Sequence, residues 1–261
     1  MSYIEDYNRK IEAIKAIPDD QIKSPKNTPT GIYGQESLYL YHWCQDDKEE
    51  LTSKGLDWKV VEDIPIRCGA LYEAELKWHQ AQSLRRKAEK IWVRESLKGY
   101  ALRKELIHHF NFAFRHDSSL IERVREIAKK STHDGMIDGL YDLSALGWDN
   151  QDLLKKIGFD LTLLDLAAKK SDELATKNAA ASYDRKDYLK AKTIRNQAYT
   201  HLKEAVDLIR ECGKFVFCRN ADRLKGYRSN HLRKSKLRDT RRKKLSLTVP
   251  VSESENPEPD R

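Results

Sequence analysis

Glu105-Leu106-Ile107-His108 sets a carboxylate and an imidazole three residues apart, the Glu-x-x-His spacing by which ferritin-like helical bundles hold two metal ions. A duplicated bundle would supply that motif twice. The matching stretch further on, Leu208-Ile209-Arg210-Glu211, has neither the leading Glu nor the His, so the pair reads as a surface or partly packed histidine at a helix end. His108 and His109, with His116 and His133, could be imagined around a transition metal or haem. Neighbouring helical residues point about 100° apart and do not converge on one ion, so these too are expected to be solvent-facing or packing side chains. Nothing in the spacing brings a Ser-His-Asp or Cys-His set together. Neither of the usual glycine-rich phosphate loops is present. No catalytic residue, cofactor site or metal site is therefore assigned, and no cofactor is expected.

Charge is the remaining chemical signal, and it is concentrated. The whole chain of 261 residues carries a net +8. Between residues 219 and 244 stand Arg219, Arg223, Lys225, Arg228, Arg233, Lys234, Lys236, Arg238, Arg241, Arg242, Lys243 and Lys244, opposed only by Asp222 and Asp239. The last residues are acidic, with Glu253, Glu255, Glu258 and Asp260, so the body before the basic segment is close to neutral. Such a cluster can neutralise several phosphates and give salt-dependent, sequence-independent affinity for nucleic acid. Tyr227 is the one interleaved aromatic, so base stacking gains little support. The alternatives are a solvated tail, a basic end that docks on acidic patches of its own or a partner subunit, and an anionic membrane surface, for which the leucines are too few to make a strong interfacial helix.

These residues need elements to hold them, and the composition points to helices. The chain is 34% charged and 39% hydrophobic, with 11 Gly and 7 Pro, a balance that favours amphipathic helices. Cys44, Cys68, Cys212 and Cys218 show no Cys-x-x-Cys or zinc spacing and are expected as reduced, mostly packed thiols of a cytosolic protein. No apolar run approaches the roughly 18 residues of a membrane span. The start Met-Ser-Tyr-Ile-Glu-Asp does not read as a signal peptide. A cytoplasmic location is the expectation.

The strongest organisational signal is an internal repeat. Gly55-Leu56-Asp57-Trp58-Lys59-Val60-Val61-Glu62 reads against Gly158-Phe159-Asp160-Leu161-Thr162-Leu163-Leu164-Asp165. The same spacing sets Leu106 on Ile209 and Phe112-Ala113-Phe114 on Phe215-Val216-Phe217. One inserted residue, Cys218, then aligns Arg115 with Arg219 and Leu120 with Leu224. Repeats of this kind fix how a fold is divided.

The expected architecture is all-α, two tandem helical hairpins forming a four-helix bundle. Residues 1–54 read as an N-terminal helical arm and loop, and residues 55–230 as the duplicated bundle. Its first copy covers 55–125, a linker with short helices about 126–157, and the second copy 158–230. Residues 231–261 read as a basic, then acidic, disordered tail. In the second copy neither Gly nor Pro interrupts the apolar stripe between Phe159 and Glu211, and compactness suggests a turn at 182–187, where Asp184 could cap a new helix. The matching turn falls at 79–83. Pro65 predicts a kink or a late helix start near Ile66. Phe110, Phe112, Phe114, Phe215 and Phe217 read as core plugs at the ends of the copies.

Three functions remain open on these grounds. A non-enzymatic scaffold or protein interaction module, self-associating or binding a protein partner, fits best. A nucleic-acid-associated protein acting through residues 219–244 comes second. A metal-dependent bundle enzyme is a remote third, because bundle cores can host metals without a sequence signature.

Overall fold

A computed structural model describes the backbone of residues 2–248 and the side chains of residues 2–240. The described residues form helices and no strand. In chain order these are α1 (Tyr3–Lys15), α2 (Thr30–Gln45), α3 (Lys48–Ser53), α4 (Trp58–Glu62), α5 (Ile64–Ala113), α6 (Ser118–Lys129), α7 (His133–Asp149), α8 (Gln151–Lys155), α9 (Thr162–Val216), α10 (Ala221–Leu224) and α11 (Asn230–Thr248). None is long and apolar enough to cross a membrane among the described residues.

Two compact units emerge. One uses the chain up to Lys77 and again from Lys192 onward; the other is the continuous stretch Trp78–Ala191. Ile14, Leu40, Leu51, Val61, Ile64, Leu71, Leu202, Val206, Ile209 and Tyr227 fill the core of the first. The second closes around Leu106, Phe110, Phe114, Val124, Met136, Leu140, Leu143, Leu154, Leu164 and Leu174. Each of these side chains is worth roughly 1.5–3 kcal/mol when fully removed from water, and none of them is more than 2% exposed.

The expected hairpin turns do not form. α5 and α9 run unbroken through 79–83 and 182–187, so neither copy folds into a hairpin of its own. The physical reason is local. The segment 178–192 is Asn-Ala-Ala-Ala-Ser-Tyr-Asp-Arg-Lys-Asp-Tyr-Leu-Lys-Ala-Lys, rich in Ala, Lys and Leu, which favour helix. Asp184 and Asp187 each cost a few tenths of a kcal/mol there, together far less than breaking several backbone hydrogen bonds. The compactness that a turn was expected to supply comes instead from dividing the chain into two units.

Pro65 behaves nearly as its chemistry requires. α4 stops at Asp63, and α5 restarts at Ile64 with Pro65 in its first turn, where no backbone donor is needed.

The spacing between Gly55 and Gly158 recurs in the elements themselves. These two glycines are the described residues with positive φ, 91° and 69°. Each ends a helix in the same way. Leu56 N–H donates to Leu51 O at 3.2 Å and Phe159 N–H to Leu154 O at 3.1 Å, the six-to-one bond of a Schellman cap, which needs a left-handed residue in between. Asp57 then accepts from Lys59 N–H at 3.0 Å and Asp160 from Thr162 N–H at 2.9 Å, so a carboxylate two residues after each glycine caps the helix that follows.

The single inserted residue is not needed. Asp117 accepts from Leu120 N–H, and Asn220, at the unchanged spacing, accepts from Arg223 N–H. Side-chain similarity suggested Arg115 with Arg219; the caps instead pair Arg115 with Cys218.

The correspondence also extends into the expected linker. α7 and α8 stand to α2 and α3 at the same spacing. Leu40 and Leu143, Leu51 and Leu154, Leu71 and Leu174, and Val124 and Tyr227 are all buried pairs at that spacing.

The C-terminal segment differs from expectation too. Asn230–Thr248 is helical where a disordered tail was expected. Lys, Arg and Leu are good helix formers, and the first turn is anchored: Leu232 N–H donates to Ser229 Oγ at 3.2 Å and His231 N–H to Glu36 Oε1 at 2.7 Å. The acidic residues 249–261 lie outside the described residues.

Candidate functional site

Among the twelve cationic residues nominated from sequence, the structure separates a structural arginine from a solvent-exposed row. Arg223 is the structural one. Its guanidinium lies 2.5 Å from Asp47 Oδ2, donates to Trp43 O at 3.1 Å, and sits 4.4 Å over the Trp43 ring. Trp43 Nε1 returns a bond to Arg223 O at 3.2 Å. Tyr227, fully buried, donates to Asp47 Oδ2 at 2.6 Å and stacks on Phe217 with centroids 5.5 Å apart. Burial, with the Asp47 carboxylate beside it, drives the Tyr227 phenol well above its ordinary range. Two glycines permit this fit, because a Cβ at Gly213 would overlap the Tyr227 ring and one at Gly226 the Trp43 indole.

This clamp fastens α10 and the turn Lys225–Tyr227 to α2, and α11 departs from it. Lys225 pairs with Asp222 at 2.7 Å. Arg219, Arg228, Arg233, Lys234, Lys236 and Arg238 are exposed and have no ion-pair partner among the described residues. Exposed cations without an ion-pair partner keep their full field for an approaching anion. Arg241, Arg242, Lys243 and Lys244 lie on the helical backbone of α11, outside the described side chains.

The metal-site candidates do not come together. Glu105 and His108 are both exposed. His133 accepts or donates at 3.0 Å to Tyr100 and lies edge-on to Trp92, while His109 meets Phe159. Among the described residues no three His, Cys, Asp or Glu side chains are grouped to hold a metal ion.

The phenylalanines divide in two. Phe110, Phe114 and Phe217 are buried as expected, whereas Phe112 and Phe215 are 56% and 70% exposed. They occupy equivalent positions at the repeat spacing, and Arg115 covers the Phe112 ring at 4.3 Å. Of the cysteines, Cys44 and Cys68 are buried and Cys218 is exposed, all four as free thiols. Burial pushes the thiols of Cys44 and Cys68 up to about 12, which leaves them poor nucleophiles.

Sequence reading missed the anchors Trp43, Asp47 and Glu36. Asp46-Asp47 gave the sole hint, an acidic pair in a segment otherwise read as a helical arm, and nothing local could tie it to Arg223. It also missed His201. Its imidazole lies 3.5 Å from the Arg67 guanidinium. Burial first, then the charges of Arg67 and Lys10, lower its pKa from 6.5 to about 4.

Between these two values the unfolded chain binds a proton at His201 that the folded chain refuses, so stability rises with pH through that window and falls as pH drops from 6.5 towards 4. His201→Gln is expected to flatten that part of the stability profile. Urea unfolding of both proteins at pH 7, 6, 5 and 4 checks it; parallel profiles refute it.

No family model matches the chain, and no curated protein or solved structure is significantly similar to it.

Proposed function

We propose that the chain is a non-enzymatic helical scaffold, built by tandem duplication of one helical unit and working in the cytoplasm, that associates through its own surface with a second copy of itself. The observation that carries this reading is an apolar pair left in water. Val93 and Leu97 occupy successive turns of α5 and are 58% and 65% exposed. Residues four apart on a helix are neighbours, so the two present one continuous apolar spot; isolated exposed apolar residues would need no explanation. Leu84 and Ile91, two turns apart on the same helix, are 56% and 43% exposed. Duplication is supported by the matched Gly55 and Gly158 caps and by Asp57 with Asp160 and Asp117 with Asn220.

The expected outcome is a defined mass above the monomer for the full chain in light scattering after size exclusion. The double substitution V93E/L97E is expected to return it to a monomer without loss of helical circular dichroism. A wild-type chain that is monomeric at all concentrations tested removes the self-association reading.

A second reading is favoured by a separate observation, the exposed cations of α11. In it that helix lies along the phosphate backbone of nucleic acid, and binding is electrostatic and without base preference. Arg223 takes no part in it, because its charge is already committed to Asp47.

A further inference from the structure

A cleft of about 900 Å³ lies in the first unit, between the irregular segment joining α1 to α2 and one face of α9. The segment is held off the helix by a few fixed points. Lys23 N–H donates to Thr200 Oγ1 at 2.8 Å, and Gln197 Nε2 donates to Ile17 O at 3.0 Å. Lys203, Asp207, Arg210 and Lys214 recur every three or four residues along the facing stripe of α9, and Ser229 with Leu232, at the start of α11, closes one end. A cleft of this size is within the range that holds a small organic ligand.

Its charge is one-sided. Lys23, Lys26, Lys203, Arg210 and Lys214 line it against Asp207 and Glu211. Lys203 is spent on Asp207 at 2.6 Å, and Arg210 leans on Glu36 at 3.5 Å. Lys23, Lys26 and Lys214 have no ion-pair partner among the described residues. Low-dielectric walls around such cations concentrate their field on whatever enters.

Two donors in the lining are left without an acceptor. Tyr33 is 5% exposed, and its hydroxyl has no hydrogen-bond partner among the described residues; the same holds for Arg210 Nε. Folded proteins satisfy nearly all buried polar groups, so each exception calls for a partner. The Tyr33 phenol is buried against the Tyr199 ring, with centroids 4.9 Å apart.

We propose that this cleft binds a small phosphate-bearing molecule. Its phosphate oxygens accept from Tyr33 Oη–H and Arg210 Nε–H, Lys23, Lys26 and Lys214 neutralise its charge, and its organic body lies against Leu232 and Ile22. A phosphate suits the site because one group carries both a double negative charge to meet the three unpaired lysines and several acceptor oxygens for Tyr33 Oη–H and Arg210 Nε–H. The site goes beyond the scaffold reading and does not depend on it, since it involves no residue of the α5 surface.

The test is calorimetric titration of the full chain with pyrophosphate at physiological salt, beside Tyr33→Phe and Arg233→Gln. The expected result is saturable binding by the wild type, about tenfold weaker binding by Tyr33→Phe, and unchanged binding by Arg233→Gln. Tyr33→Phe should also melt higher than the wild type without ligand, because it removes a hydroxyl that has no partner. The proposal is overturned if pyrophosphate gives no heat at millimolar concentration, if Tyr33→Phe binds as tightly as the wild type, or if it melts lower without ligand. It is equally overturned if Arg233→Gln abolishes binding, which would assign the anion to the surface of α11.

Discussion

Tyr227→Ala is expected to destabilise the first unit by about 4 kcal/mol, the upper range for truncating a buried aromatic ring. Tyr227 is fully buried, fills the space over Gly213 and stacks on Phe217. Removing the ring leaves a cavity and takes one hydrogen bond from Asp47, a buried carboxylate whose remaining support is Arg223. Loss of a partner at a buried charge costs more than an exposed bond would. Tyr227→Phe keeps the volume and loses only the hydroxyl, so its expected cost is smaller, about 1–2 kcal/mol. Chemical unfolding followed by circular dichroism checks the order: Ala far below Phe, Phe below wild type. Equal stability of Tyr227→Ala and wild type would show that the clamp does not hold α10 to α2. The converse change, Gly213→Leu, is expected to be as damaging as Tyr227→Ala, because it places a side chain where the ring already is.

Neutralising Arg233, Lys234, Lys236 and Arg238 together to Gln is expected to abolish most of any affinity for duplex DNA under the second functional reading. Each phosphate neutralised contributes roughly −0.9 to the slope of log affinity against log salt. Four lost contacts therefore flatten that slope by about 3 to 4 and weaken binding by two to three orders of magnitude at low salt. Fluorescence anisotropy with a labelled duplex at several salt concentrations reads both quantities. Arg223→Gln serves as the contrast. If Arg223 is a clamp residue, its loss shows in stability first and leaves the salt slope of the folded protein unchanged. A salt slope that moves with Arg223 but not with the four exposed residues would reverse the assignment.

The helical character was legible from residue spacing, and so were the matched caps after Gly55 and Gly158, because both rest on local chemistry. Gly55 and Gly158 each need a left-handed backbone, Asp57 and Asp160 each cap the helix after them, and such requirements survive when neighbouring side chains change. Where side-chain similarity replaced capping chemistry, the reading slipped. Arg115 aligns with Arg219 by letter alone, whereas Asp117 and Asn220 perform the same task with different letters.

The turns at 79–83 and 182–187 failed for a different reason. A turn there was inferred from a global need for compactness, and compactness turned out to be satisfied by residues far away in sequence. Arg223 was grouped with the basic cluster on local grounds alone: nothing adjacent to it reveals Asp47 or Trp43, which lie more than 170 residues away in sequence. The cleft beside Tyr33 was illegible for the same reason. Its two walls, the segment after α1 and the late part of α9, are joined only by tertiary contacts such as Lys23 to Thr200.

The division of the chain into one continuous and one interrupted unit has a consequence for biosynthesis. Residues 78–191 can close around Phe110 and Leu164 as soon as they clear the ribosome, since every side chain they need has by then been made. The residues before Lys77 cannot. Leu40, Leu51 and Leu71 wait for Leu202, Val206 and Tyr227, a delay on the order of ten seconds at ordinary rates of synthesis. During that interval the nascent amino-terminal segment carries its apolar face uncovered. It is the part of this protein most in need of a chaperone, and a translation pause placed before Tyr227 is synthesised would prolong the risk.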